Sequence, residues 1–213
     1  MFSDSTCCFV GTSDQMAGSG KGELIDKFDI VCRTLGSSGK ILHNPNDLGS
    51  YTDVLFVNDK VSKLHNPLDA LHLKEKSVRM VVFRDKVPEG ADYLTDNGIE
   101  IGSTRNNVIY GLNSVPMMAV HVTNWLLNKN AGTVYITGCD LYASYRKDPL
   151  ANSASWLDGY QAEWDNSPPS SQHDIDGHFA WLWRRLHSCE VFCDDLLAEE
   201  VNKWWRKKIE ALN

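Results

Sequence analysis

Six short apolar runs, separated by helix-length stretches, constrain the fold more than any other feature of this chain. They occupy residues 7–11 (CCFVG), 29–33 (DIVCR), 53–58 (DVLFVN), 78–83 (VRMVVF), 133–138 (TVYITG) and 189–193 (CEVFC). Each is rich in Val, Ile, Phe or Cys, and several are bounded by Gly, Asp or Asn, as strands are. Between them, residues 20–27, 88–97, 114–128 and 176–187 read as helices. In the last of these Phe179, Leu182, Trp183 and Leu186 fall on one stripe, the spacing of a helix that buries one face. Runs that are apolar throughout, rather than alternating, suit strands covered on both sides. The pattern therefore predicts a single α/β domain over residues 1–213, Rossmann-like, with a mainly parallel sheet and helices on both faces.

Composition limits what such a domain does. At 213 residues with 42% hydrophobic content, the chain has material for one substantial core. Its net charge of −7 argues against broad nucleic-acid binding, which needs a basic face to displace counterions from phosphate. No apolar run reaches the roughly 18–20 residues that would span a bilayer. The first ten residues, MFSDSTCCFV, lack the basic and long apolar segments of a secretory signal, so a cytoplasmic location is expected. The six cysteines form no paired CxxC motifs, which argues against structural zinc. Cys7, Cys8, Cys32, Cys189 and Cys193 lie in the apolar runs and are expected to be reduced, buried thiols.

Ligands of an open α/β sheet sit beyond the carboxyl ends of its strands. The residues there are Gly11-Thr12-Ser13-Asp14, Arg33-Thr34, Asn58-Asp59 and Gly138-Cys139-Asp140-Leu141-Tyr142, small and polar throughout. The first leads into a glycine-rich turn, FVGTSDQMAGSGKG, whose N–H groups are able to converge on an anion. It is not a P-loop, because Gln15 stands where the first glycine belongs and Gly22 where the magnesium-binding hydroxyl belongs. Nor is it GxGxxG, since Gly18, Gly20 and Gly22 give GxGxG.

Read together, Val10-Gly11-Thr12-Ser13, Gly18-Ser19-Gly20, Ile25-Asp26 and Asp29-Ile30-Val31-Cys32-Arg33 resemble the large sialyl motif of the eukaryotic-type sialyltransferases, glycosyltransferase family 29. The run Asn113-Ser114-Val115-Pro116-Met117-Met118-Ala119, a helix, then Val134 through Tyr142 resembles the small sialyl motif and its counterpart in the bacterial sialyltransferases of family 42. A third block starts at His173, followed five residues later by His178 and Phe179-Ala180-Trp181-Leu182. The resemblance implies a GT-A-variant, Rossmann-like, inverting and metal-independent glycosyltransferase. Its donor would be CMP-sialic acid or CMP-Kdo, a co-substrate rather than a cofactor, and its acceptor a glycan or glycolipid. It implies donor contacts at Gly11, Thr12, Ser13, Arg33, Asn58, Asn113, Ser114, Gly138, Cys139, Asp140, Tyr142 and Tyr145, with His173 as general base. The chain departs from the family where Thr12 and Leu35 replace asparagines, where His178 replaces a glutamate, and where the helix that should carry the second cysteine of the family 29 disulfide has none.

The residues allow other readings of the 173–178 cluster. Asp174 and Asp176, with His173 and His178, have the types and spacing of a zinc or manganese site, which would suit a metal-dependent hydrolase. The same aspartates are also ordinary first-turn residues of a helix, favoured there by the helix dipole. His178 is then a helix-face residue or a helper to His173. A nucleotide-binding module without catalysis is a further alternative, motivated by Thr12 and Leu35. Residues 143–172, with Gly159 and the run Ser167-Pro168-Pro169-Ser170-Ser171, read as a flexible lid or substrate loop. Residues 194–213 read as an amphipathic helix with Trp204 and Trp205 beside Lys203, Arg206, Lys207 and Lys208. Packing against the sheet is its first expectation, and weak contact with a membrane surface, at the inner face, its second.

Overall fold

A computed structural model describes residues 1–34, 44–57, 70–84, 86–110, 112, 116–139, 141 and 174–212. Among the described residues seven strands build one sheet: β1 (Thr6–Val10), β2 (Ile30–Thr34), β3 (Val54–Val57), β4 (Met80–Phe83), β5 (Glu100–Ser103), β6 (Thr133–Thr137) and β7 (Val191–Cys193). Their spatial order is β5-β4-β3-β2-β1-β6-β7. Every pairing is parallel, from Cys7 beside Ile30 to Val134 beside Val191. The sheet is thus wholly parallel where a mainly parallel one was expected.

The apolar runs are double-sided for the reason inferred. Cys7, Phe9, Ile30, Cys32, Val54, Phe56, Val134 and Ile136 face one way, into a core shared with α5 (Met118–Asn128), α6 (Ile175–Leu186) and α7 (Asp195–Glu210). Alternate residues face the other way. Cys8, Val10 and Val31 meet Ile25 of α1 (Gly22–Ile25) and Leu48 of α2 (Pro45–Leu48). Leu55, Val57, Val81 and Phe83 meet Leu73 of α3 (Ala70–Glu75) and Leu94 of α4 (Asp92–Asp96). Helices of the first half therefore cover one face and those of the second half the other, as in a doubly wound fold.

Three sequence expectations change. β5, with the sequence EIGS, was not anticipated: it is an edge strand with no fully buried residue, so its apolar signal is weak. Helices expected over 20–27 and 88–97 contract to Gly22–Ile25 and Asp92–Asp96. All six cysteines are free, but Cys193 is only half-buried and Cys189 is exposed, standing at φ 60° in the turn before β7 rather than inside a strand. Among the described residues no helix is long and apolar enough to cross a membrane.

α7 packs as its first expectation required over most of its length. Leu197 and Val201 are buried, Trp204 stacks on Phe179 at 5.8 Å and Trp205 on Trp183 at 4.3 Å between ring centroids. Beyond them Ile209 and Leu212 remain exposed.

Candidate functional site

β1 pairs with β2 on one side and β6 on the other, so the chain leaves its carboxyl end at the point where the strand order reverses. That switch point is where an open parallel sheet has its crevice. Here the segments after β1 and β6 run against each other. Gly11 N donates to Thr137 O at 2.8 Å and Ser13 N to Gly138 O at 2.9 Å. A Cβ on Gly11 would lie 2.2 Å from Gly138 O and 2.4 Å from Cys139 Sγ, so only glycine permits this approach. Gly138 turns the chain at φ +66°, a left-handed conformation suited to glycine. Gly11, Thr12, Ser13, Gly138 and Cys139, expected in one site, are thereby brought together.

Ser13 is 97% buried by its 3% exposure, and its Oγ has no hydrogen-bond partner among the described residues. Gln15 Oε1, two residues on, is in the same state. Buried polar atoms are nearly always paired, so each of these is open to a partner that the described residues do not supply. Thr12 and Cys139 beside them are half-buried.

The glycine-rich turn does cradle an anion, and that anion is internal. Gly18 N and Gly20 N both donate to the Asp47 carboxylate, each at 2.9 Å, and Asn44 Nδ2 adds a third bond at 2.9 Å. The two glycines stand at φ +70° and +64°, which aims their N–H groups inward. These bonds hold the Asp47 carboxyl below its ordinary pKa, the Gly20 amide contributing most. From the same turn Lys21 Nζ reaches Asp194 Oδ2 at 3.1 Å. That oxygen also accepts from Thr137 Oγ1 at 2.8 Å and Gly138 N at 3.2 Å, while Asp194 Oδ1 caps α7 through Leu197 N at 3.0 Å. One buried carboxylate therefore fixes the turn after β6, the start of α7 and the glycine-rich turn.

Arg33 is placed inside the fold. Its Nε donates to Thr52 Oγ1 at 2.8 Å and its Nη2 to the carbonyls of Leu48 and Tyr51, and only 3% of the residue is exposed. Burial pulls its pKa down to about 10, still well above neutrality.

In the 173–178 cluster the described residues have defined partners. Asp174 is the N-cap of α6, accepting from Gly177 N at 2.9 Å, as the helix-start reading had it. Asp176 accepts from Trp204 Nε1 at 2.7 Å and Lys208 Nζ at 2.8 Å, tying α6 to α7. His178 is fully buried. Its Nδ1 bonds the carbonyl of Asp174, and its Nε2 takes the N–H of Met117 at 2.8 Å. A carbonyl only accepts and a peptide N–H only donates, so the ring is neutral, with its proton on Nδ1. The lone pair that a metal would need is already engaged.

Asn58, Asn113, Ser114, Asp140, Tyr142, Tyr145 and His173, with the expected loop 143–172, lie outside the described residues. Sequence reasoning passed over Asp47, Asp194, Lys21, Gln15 and Arg84. Only Asp194 carried a local signal, as an aspartate directly before an amphipathic run. No protein-family model matches the chain, and no curated protein matches it.

Proposed function

We propose that this chain is an inverting, metal-independent glycosyltransferase that moves sialic acid or a related ulosonic acid such as Kdo from a CMP-sugar to a glycan or glycolipid hydroxyl. One observation carries the reading: the two motif segments behind the sialyltransferase resemblance, residues 11–13 and 138–139, meet at the switch point of a parallel sheet. They lie far apart in the sequence, and the pairing of β1 with β6 makes them neighbours.

In the proposed reaction the acceptor oxygen attacks the anomeric carbon from the face opposite the phosphate. His173 takes the acceptor's proton, since imidazole titrates near neutrality. The bond between the anomeric carbon and the phosphate oxygen breaks, and CMP leaves with its electron pair. Tyr142 and Tyr145 donate hydrogen bonds to the departing phosphate, as preorganised donors do for developing charge. Asn113 and Ser114 hold the donor carboxylate, while Ser13, Thr12 and Asn58 contact the nucleotide. An acidic chain offers an anionic donor no bulk attraction, so local N–H and hydroxyl groups must supply recognition. Ile209 and Leu212, exposed beside Arg206 and Lys207, provide the proposed weak contact with the inner face of a membrane carrying a lipid-linked acceptor.

The metal-dependent alternative is less well supported, because Asp174, Asp176 and His178 each serve the helix and its neighbours. The test is a transfer assay with CMP-sialic acid and CMP-Kdo, with and without EDTA. His173→Ala should bind CMP as the parent does and lose transfer, and EDTA should change neither. Full transfer by His173→Ala overturns the assignment of the base, and abolition by EDTA overturns the metal-independent reading.

A further inference from the structure

Lys21 follows the glycine-rich turn in a Gly-Lys pair that fits no P-loop, and its side chain reaches the switch point. Its Nζ donates to Asp194 Oδ2 at 3.1 Å and to Thr137 Oγ1 at 3.5 Å. Both partners are buried, whereas the lysine side chain is 26% exposed, so the ammonium covers them from the solvent side. Asp194 does not depend on it. That carboxylate has neutral donors in Thr137 Oγ1, Gly138 N and Leu197 N, and it lies at the positive end of the α7 dipole. The lysine's charge is therefore only partly used, and an ammonium carries a further N–H beyond these two contacts. Other donors near the carboxyl ends are committed elsewhere. The Gly18 and Gly20 amides hold Asp47, Arg33 is turned into the fold, and Arg84 after β4 donates through Nη2 to the Pro116 carbonyl at 2.6 Å.

The segment after β1 supplies an independent sign of a ligand. Ser13 is 3% exposed, and its Oγ has no partner among the described residues. Its N–H donates to Gly138 O, and Gly138 N donates to the same Asp194 oxygen that Lys21 holds. One glycine thus links the hydroxyl's segment to the lysine. We infer that Lys21 is a phosphate-binding residue, supplying positive charge to the phosphate of a nucleotide seated against the segments after β1 and β6. This rests on the CMP-sugar reading above, which it deepens by naming a group that meets the phosphate's charge. A chain of net charge −7 gives an anion no long-range attraction, so the attraction must be local. A charge-assisted hydrogen bond is roughly twice as strong as a neutral one. Lysine suits the place, being a compact charge on a flexible stem that is able to turn one N–H to a phosphate while keeping another on Asp194. Asp47 acts through it, since holding the Gly18 and Gly20 amides fixes the turn from which Lys21 reaches.

Calorimetric titration with CMP, and with cytidine, which lacks the phosphate, reads this contact in the parent, Lys21→Met and Lys21→Arg. Lys21→Met should weaken CMP binding by about tenfold, the low end for a charge-assisted bond because the lysine is shared with Asp194. Its affinity for cytidine should stay within about twofold of the parent's, since only the phosphate is coupled to the lysine. Lys21→Arg retains the charge and should recover most of the loss. Unchanged CMP affinity in Lys21→Met overturns the inference. So does an equal loss for CMP and cytidine, which would show a lysine that only holds the fold. Should Lys21→Met not fold, amine acetylation of the parent, read by peptide mass mapping, takes its place. Saturating CMP should slow modification of Lys21 and spare Lys27, whose side chain is 67% exposed, and cytidine should slow neither. Lys21 modified at one rate throughout, or protected equally by both ligands, overturns it. A folded parent that binds no CMP defeats the CMP-sugar reading, and this inference falls with it. A parent that binds CMP while Lys21→Met is indifferent defeats the inference alone.

Discussion

Lys21 and Asp194, from opposite ends of the chain, form an ion pair of 3.1 Å beyond the carboxyl ends of β1 and β6. The aspartate side chain is 5% exposed and the lysine 26%. Asp194 also accepts from Thr137, Gly138 and Leu197. Removing the carboxylate strips the Gly138 N–H of its partner and uncaps α7. Asp194→Ala should therefore cost about 2–4 kcal/mol, combining a lost cap with unpaired buried donors. Lys21→Met should cost less, because the carboxylate keeps its three neutral donors. Urea unfolding of both variants checks the order, and a milder effect for Asp194→Ala than for Lys21→Met would contradict it.

Asp47 makes the glycine-rich turn sensitive to acid. Its folded pKa is lowered by the Gly20 and Gly18 amides, so its contribution is fully present above the ordinary aspartate pKa of about 3.9. It is lost as pH falls through the depressed folded value. Asp47→Asn should be less stable than the parent at pH 7, and the difference should shrink as pH falls below the ordinary aspartate pKa. Denaturant midpoints across that range measure it. A gap that is constant with pH would show that the carboxylate charge is not what the amides hold.

The close approach of Gly11 to Gly138 gives a steric prediction. A methyl at residue 11 meets a backbone carbonyl at 2.2 Å, which no rotamer change relieves. Gly11→Ala should push the segments after β1 and β6 apart, cost about 1–3 kcal/mol, and abolish CMP binding. Retained binding with parental stability would mean that the segments are not packed together.

Thiol reactivity reports on the same place. Cys7 and Cys8 are buried, with pKa values pushed up to about 12 by desolvation, and Cys193 is raised to about 12 for the same first reason. Cys32 is fully buried, whereas Cys189 is exposed and Cys139 half-buried beside Gly11. Alkylation of the native protein near pH 8 should modify Cys189 first and Cys139 next, leaving Cys7, Cys8 and Cys32 until unfolding. Saturating CMP should slow Cys139 and leave Cys189 unchanged, as read by peptide mass mapping. Equal protection of both would place CMP elsewhere.

The fold was legible because burial on both faces writes a parallel strand as a continuous apolar run, and Cys7–Val10 or Val54–Val57 leave little room for another reading. β5 escaped for the opposite reason. An edge strand needs only one covered face, and Glu100-Ile101-Gly102-Ser103 supplies one large apolar side chain. At the site, Gly11–Ser13 and Gly138–Cys139 were legible as residues following strands, and only the strand order shows that they are neighbours. The partner of Gly18 and Gly20 was not legible at all. Asp47 lies 27 residues beyond Gly20, and nothing local marks it as the occupant of those amides. His178 was visible as a histidine but not as a strut, since its partners are backbone groups that carry no sequence signature.

Calorimetric titration of the intact chain with CMP, UMP and GDP tests the central claim most directly. The account predicts saturable binding of CMP at one site, with UMP and GDP at least tenfold weaker, which is about 1.4 kcal/mol of discrimination. Equal affinity for the three nucleotides, or no binding of CMP, would contradict it.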